Sequence, residues 1–104
     1  MNLIEKNISE IFVLCIKHEV EKLYLFGSVL TDKFNDTSDI DILIQFSNNI
    51  ELLKYFDNYM DFKEQLEILL SRKVDIVENQ AIKNPIFRNI IDREKQLIYE
   101  RKSA

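Results

Sequence analysis

The sequence predicts an α/β (α+β) domain of about four short strands alternating with helices, and three observations predict it. Apolar residues recur at helical spacing near the start, in the middle and near the end of the chain. Between them lie four short apolar runs, at residues 23–26, 39–46, 74–77 and 97–99, rich in the residue types that suit strands. One glycine and one proline punctuate the whole chain, so its elements are continuous and its connections short.

The elements follow in order. Ile4, Ile8, Ile11, Phe12, Cys15 and Ile16 mark an amphipathic helix over 2–20. Leu23 to Phe26 is a buried strand stopped by Gly27. Ser28 opens a short helical turn with Val29, Leu30 and Phe34 as its apolar members, and 35–38 is turn chemistry. Residues 39–46 alternate: Ile40, Ile42, Ile44 and Phe46 share one face, and Asp39, Asp41, Leu43 and Gln45 the other. A long helix over 50–72 carries Leu52, Leu53, Tyr55, Phe56, Tyr59, Leu66, Leu69 and Leu70. A third strand at 74–77, a helix over 81–93 with Pro85 near its start, and a last short strand at 97–99 complete the order α-β-α-β-α-β-α-β.

The 104 residues fit one domain spanning 1–104, with 46% apolar composition sufficient for one core. No apolar run approaches the ~20 residues that span a bilayer. The first ten residues lack a basic stretch followed by an apolar one, so no secretory signal is read there and a cytoplasmic location is expected. A lone Cys15 and a lone His18 exclude an intrachain disulfide and zinc sites built on several such ligands. His18 reads as a surface or half-buried helix residue. The net charge of −4 argues against general nucleic-acid binding, which needs a basic face, but suits a basic protein partner. The charges at Lys63-Glu64, Arg72-Lys73 and Arg93-Glu94-Lys95 read as solvated helix ends and faces.

Three features carry chemistry. Gly27-Ser28 joins a strand to a helical start, where free backbone N–H groups and a positive dipole end suit phosphate; a plain helix cap is the alternative. Asp39 and Asp41 lie two residues apart on an extended segment, so their carboxylates project together with Cα atoms ~6.6 Å apart. Like charges on a half-buried face repel and are costly to desolvate, and a divalent cation relieves both effects; a solvated strand face is the alternative. Oxygen-only ligands favour Mg²⁺ or Mn²⁺. Asp75 stands where an apolar residue is the default, and joins the cluster if its strand lies beside 39–46; otherwise it is a charge that protects a sheet edge.

Gly27-Ser28, ten residues, then Asp39-x-Asp41 resembles the signature of the DNA polymerase beta-like nucleotidyltransferases. Leu25-Phe26-Gly27-Ser28, Ser38 to Ile44, and Arg72 to Val77 are especially similar to the minimal nucleotidyltransferase group, and the stretch from Ile82 to Glu100 to its closing helix and strand. The resemblance covers nearly the whole chain. It implies the nucleotidyltransferase fold with a mixed sheet packed against helices. It implies that Gly27 and Ser28 hold the phosphates of ATP, that Asp39, Asp41 and Asp75 form the Mg²⁺ site with Mn²⁺ as a substitute, and that Asp75 activates the acceptor hydroxyl. It further implies an antitoxin that transfers AMP to a tyrosine of a HEPN-domain RNase toxin in a hetero-oligomer. One departure stands out: where many relatives have an Ala-Arg-Gly-like run, this chain has Val29-Leu30-Thr31-Asp32, which exchanges a cation near the triphosphate for an anion. A binding module that neutralises its partner by occlusion is the competing reading, motivated by the acidic balance and by Tyr55, Phe56, Tyr59 and Phe62 on one helix.

Overall fold

A computed structural model describes residues 2–102. The elements run α1 (Asn2–Lys6), α2 (Ile8–Lys17), β1 (Val20–Phe26), a 3-10 turn (Gly27–Leu30), β2 (Ile40–Phe46), α3 (Leu52–Leu70), β3 (Val74–Glu78), a second 3-10 turn (Asn79–Ala81), α4 (Pro85–Glu94) and β4 (Gln96–Glu100). The four strands form one sheet in the order β3-β2-β1-β4. β1 is antiparallel to β2 and β4, and β2 is parallel to β3, which makes the sheet mixed as expected.

The predicted helix over 2–20 is two helices and the start of a strand. Asn7 breaks it: its backbone leaves the helical region and its side chain donates to Leu3 O, an alternative to the helical ladder. The far end stops at His18, and Glu19 turns the chain at φ 61. β1 therefore begins at Val20, three residues before the predicted start. The register shifts between Val20 and Lys22, and this bulge hides the strand's start from a reading by alternation. α4 begins at Pro85 rather than 81. The Asn84 side chain accepts from the N–H groups of Ile86 and Phe87, and proline needs no donor at that first position.

One face of the sheet carries the main core. Val20, Leu23, Leu25, Ile40, Ile42, Ile44, Phe46 and Val74 are buried against Ile11 and Cys15 of α2 and Phe62, Leu66 and Leu70 of α3. Each fully buried aliphatic side chain stabilises by about 1.5–3 kcal/mol relative to exposure. His18 sits inside this layer at 3% exposure, not at the surface. Its Nε2 lies 2.6 Å from Asp61 Oδ2 and its Nδ1 2.7 Å from Leu14 O, so one imidazole joins α2 to α3.

The other face is thinner. Leu43 and Ile91 are buried there, Phe87 of α4 packs edge-on to Phe26, and the Lys95 ammonium lies 4.6 Å over the Tyr24 ring. Asp41 and Asp75 emerge on this side. Among the described residues no helix is long and apolar enough to cross a membrane.

Candidate functional site

Gly27 ends β1 and bends the chain with φ at +75, a conformation that L side chains rarely adopt. β2 runs back beside it, with Asp41 opposite Phe26. The bend and the pairing together push the Asp41 carboxylate onto the Gly27 backbone. A β carbon built at residue 27 would overlap Asp41 Oδ2 and stand 3.2 Å from its Cγ. Glycine here serves both the left-handed backbone and the close approach of a carboxylate.

β3 lies parallel beside β2 and places Asp75 directly across from Asp41. Neighbouring residues in register on adjacent strands point to the same face. Asp39 precedes the first residue of β2 and belongs to the loop, not to the strand as predicted. Asp41 is half-buried, while Asp39 and Asp75 are exposed. Burial, then the charge of Asp75, then that of Asp39, holds the Asp41 carboxyl above the ordinary aspartate range. Asp41 thus feels the charge of both other carboxylates. Among the described residues no group of three or more His, Cys, Asp or Glu is arranged to hold a metal by itself. The donor set is nonetheless one that suits Mg²⁺, which typically takes one or two carboxylates and completes its shell with water and phosphate oxygens.

The turn after Gly27 is short and helical, as expected, but ends at Leu30 before reaching Phe34. Ser28 does not open an α-helix; Gly27–Leu30 is a four-residue 3-10 turn closed by the Thr31 N–H donating to Ser28 O at 2.9 Å. So short a turn has almost no macrodipole, which leaves its backbone N–H groups and the Ser28 hydroxyl as the local donors. A cleft of about 320 Å³ opens beside it, lined by Gly27, Leu30, Thr31 and Glu94. Glu94, at the end of α4, had no signal in the sequence beyond a charge at a helix end. Its side chain brings a negative charge to the lining of the cleft.

A larger cleft of about 440 Å³ borders β3, lined by Tyr55, Phe56, Tyr59, Ile76, Val77, Glu78 and Ala81. The Tyr55 hydroxyl donates to Glu78 Oε1. Burial first, then the charges of Glu78 and Asp75, raises the Tyr59 phenol. Of the four aromatics on α3, only Phe62 is fully buried; Tyr55 and Tyr59 are half-buried, and Phe56 is exposed.

The arrangement has known counterparts. The sequence profile of the family described as Polymerase beta, Nucleotidyltransferase matches residues 6–104. A Methanocaldococcus jannaschii protein provisionally named a protein adenylyltransferase, MJ0128, is 39% identical over 83 residues, covering 80% of this chain and 79% of its own. The protein adenylyltransferase MntA of Thermococcus cleftensis is 30% identical over 80 residues, covering 77% and 74%. A solved structure provisionally described as a minimal nucleotidyltransferase superposes with a TM-score of 0.73 at 30% identity, covering 92% of this chain and 95% of that one. The fold also matches, at 17% identity and a TM-score of 0.62 over 93% and 72% of the two chains, a complex of tri-AMPylated Shewanella oneidensis HEPN toxin with MNT antitoxin. The chain belongs to the polymerase beta nucleotidyltransferase family.

Proposed function

We propose that the chain is a Mg²⁺-dependent protein adenylyltransferase that serves as an antitoxin in the cytoplasm. Its substrate is ATP, its product an AMP ester on a tyrosine of a HEPN-domain RNase toxin. The observation that carries this reading is the seating of Asp41 against Gly27 with Asp75 across from it, which gathers carboxylates where the turn from β1 opens to solvent. The names of the relatives and the AMPylated toxin beside its antitoxin support the choice of group and acceptor.

Gly27 and Ser28 lie against the triphosphate, the first by leaving its backbone uncovered, the second by donating its hydroxyl. Asp39 and Asp41, with Asp75 as third carboxylate, would hold Mg²⁺, or Mn²⁺ in its place, which when bound offsets the charge of the triphosphate and of the acids themselves. Asp75 takes the proton of the acceptor hydroxyl. The freed oxygen attacks the α-phosphorus in line, a new P–O bond forms, and the bond to pyrophosphate breaks. The test is transfer of label from α-labelled ATP to a HEPN toxin. Asp39→Asn and Asp41→Asn should each abolish it, and undiminished transfer by either overturns the reading.

A specific observation favours a second reading. Leu52 and Leu53 are 88% and 94% exposed, and Phe56 beside them is 69% exposed, an apolar cluster that suits a partner protein. A chain that neutralises its toxin through this surface alone would do so with Asp39, Asp41 and Asp75 all changed to Asn.

A further inference from the structure

The stretch between the 3-10 turn and β2, residues 31–39, has no regular structure, yet it ends at Asp39. Its last backbone anchor to the sheet is the Ile40 N–H, donating to Lys73 O at 3.0 Å, so Asp39 lies one residue outside the ladder. This end of the loop brings Asp39 to the Asp41 carboxylate, and like charges so gathered repel. Something must hold it.

Arg72 does. It follows Ser71, whose left-handed turn at φ 52 ends α3 and sends the chain into β3. Its Nη1 donates to Asn35 O at 2.7 Å and to Ser38 O at 2.9 Å. Its guanidinium lies 4.5 Å over the ring of Phe34, and its side chain is 17% exposed. Asn35 and Ser38 are also tied to each other: the Ser38 N–H donates to Asn35 O at 3.1 Å, and the Asn35 N–H to Ser38 Oγ at 3.1 Å. One planar cation thus grips both ends of a closed turn and the ring before it. The loose contact with exposed Asp36, at 3.9 Å, adds little. Arg72 is therefore not the solvated helix-end charge its sequence position suggested.

We propose that Arg72 is a positioning residue: by bridging the Asn35 and Ser38 carbonyls over Phe34 it fixes the peptide that presents Asp39 beside Asp41, and so sets the affinity of the site for divalent metal. This rests on the proposed function for the identity of the metal–nucleotide ligand. The role belongs to the planar guanidinium: Nη1 alone makes both carbonyl bonds, and a lysine ammonium, a point charge, cannot also stack a plane on the Phe34 ring.

The test uses the full chain and two readouts that do not require turnover. Hydrogen exchange reports the amides of 34–40, and electron paramagnetic resonance reports Mn²⁺ binding in the presence of ATP. Arg72→Ala should speed exchange of the Ser38 and Ile40 amides and weaken Mn²⁺ binding by at least about tenfold, the scale of one lost charged hydrogen bond. Arg72→Lys should fall close to Arg72→Ala on both readouts. Phe34→Leu, a milder change should Arg72→Ala fold poorly, should move both the same way. Arg88→Ala removes another guanidinium bonded to a backbone carbonyl, that of Asn79, and should leave both within about twofold. Loop exchange that rises with unchanged Mn²⁺ affinity overturns the proposal, as does unchanged exchange or full recovery by Arg72→Lys. A wild-type chain that transfers no label overturns the functional reading instead, while the loop and Mn²⁺ readouts still decide the role of Arg72.

Discussion

Asp41 occupies the volume that a side chain at Gly27 would need, so the residue that follows one strand and the second residue of the next are mutually exclusive in size. Gly27→Ala forces Asp41 to rotate away and places alanine at a positive φ. The backbone strain is expected to cost about 1 kcal/mol, since alanine tolerates that region poorly. Stabilisation by Mg–ATP should be lost altogether, because the carboxylate leaves the turn. Thermal melts with and without Mg–ATP separate the two effects.

Asp41→Asn should stabilise the free protein at neutral pH. Burial and the charges of Asp75 and Asp39 raise this carboxyl above its unfolded value. A raised pKa means that the stabilising, protonated state is lost as pH rises through the folded value. The gain in the variant should therefore be absent at low pH and emerge above the ordinary aspartate range. The site is open to solvent, so the gain is small. Melting curves from pH 3.5 to 7 measure it, and adenylyl transfer by the same variant should be absent.

Asp61→Asn should have the opposite pH dependence. The hydrogen bond from His18 lowers the Asp61 carboxyl below its unfolded value. A lowered pKa contributes stability above the unfolded value that disappears as pH falls through the folded one. Wild type should melt higher than the variant at pH 7, and the two curves should converge as the solution is acidified below the ordinary carboxylate range.

Asn84→Ala removes the side chain that accepts from the first amides of α4. Loss of such a cap costs about 1 kcal/mol, or roughly 4–8 °C in a domain of this size. Asn84→Asp should retain most of the stability, because a carboxylate caps as well.

Leu53→Glu tests the exposed end of α3. The side chain touches little, so the melting temperature should move by the equivalent of ~0.5 kcal/mol or less. Binding to the HEPN partner should fall at least about tenfold if this cluster lies in the interface, as buried apolar anchors there typically do. Isothermal titration with the purified partner checks it.

How much of this was legible in the sequence depends on how local each cause is. The faces of β2 could be read because Ile40, Ile42, Ile44 and Phe46 obey a period of two against one core. The capped start of α4 was half visible in Pro85, while Asn84 supplies the rest. Asp75 could be flagged as an acid in an apolar strand, but its placement across from Asp41 needed the strand order, which no local pattern dictates. The break at Asn7 was hidden because apolar spacing continues through it without glycine or proline. The burial of His18, which reads as surface or half-buried, and the bonding of Arg72, which reads as a solvated charge, escape the sequence for one reason: their partners, Asp61 and the Asn35–Ser38 turn, lie more than thirty residues away. A polar residue satisfied over that distance looks, in sequence, like one satisfied by water.

β1 lies inside the sheet only because β4 covers it, with Leu25 joined to Gln96 and Lys22 to Glu100. During synthesis the ribosome releases β1 long before its second partner exists. Until Gln96–Glu100 emerge, a nascent chain carries an apolar strand with one bare edge, open to pairing with a neighbouring polypeptide. A message cut short before that point would yield a product with the whole carboxylate cluster encoded but with its central strand unsealed.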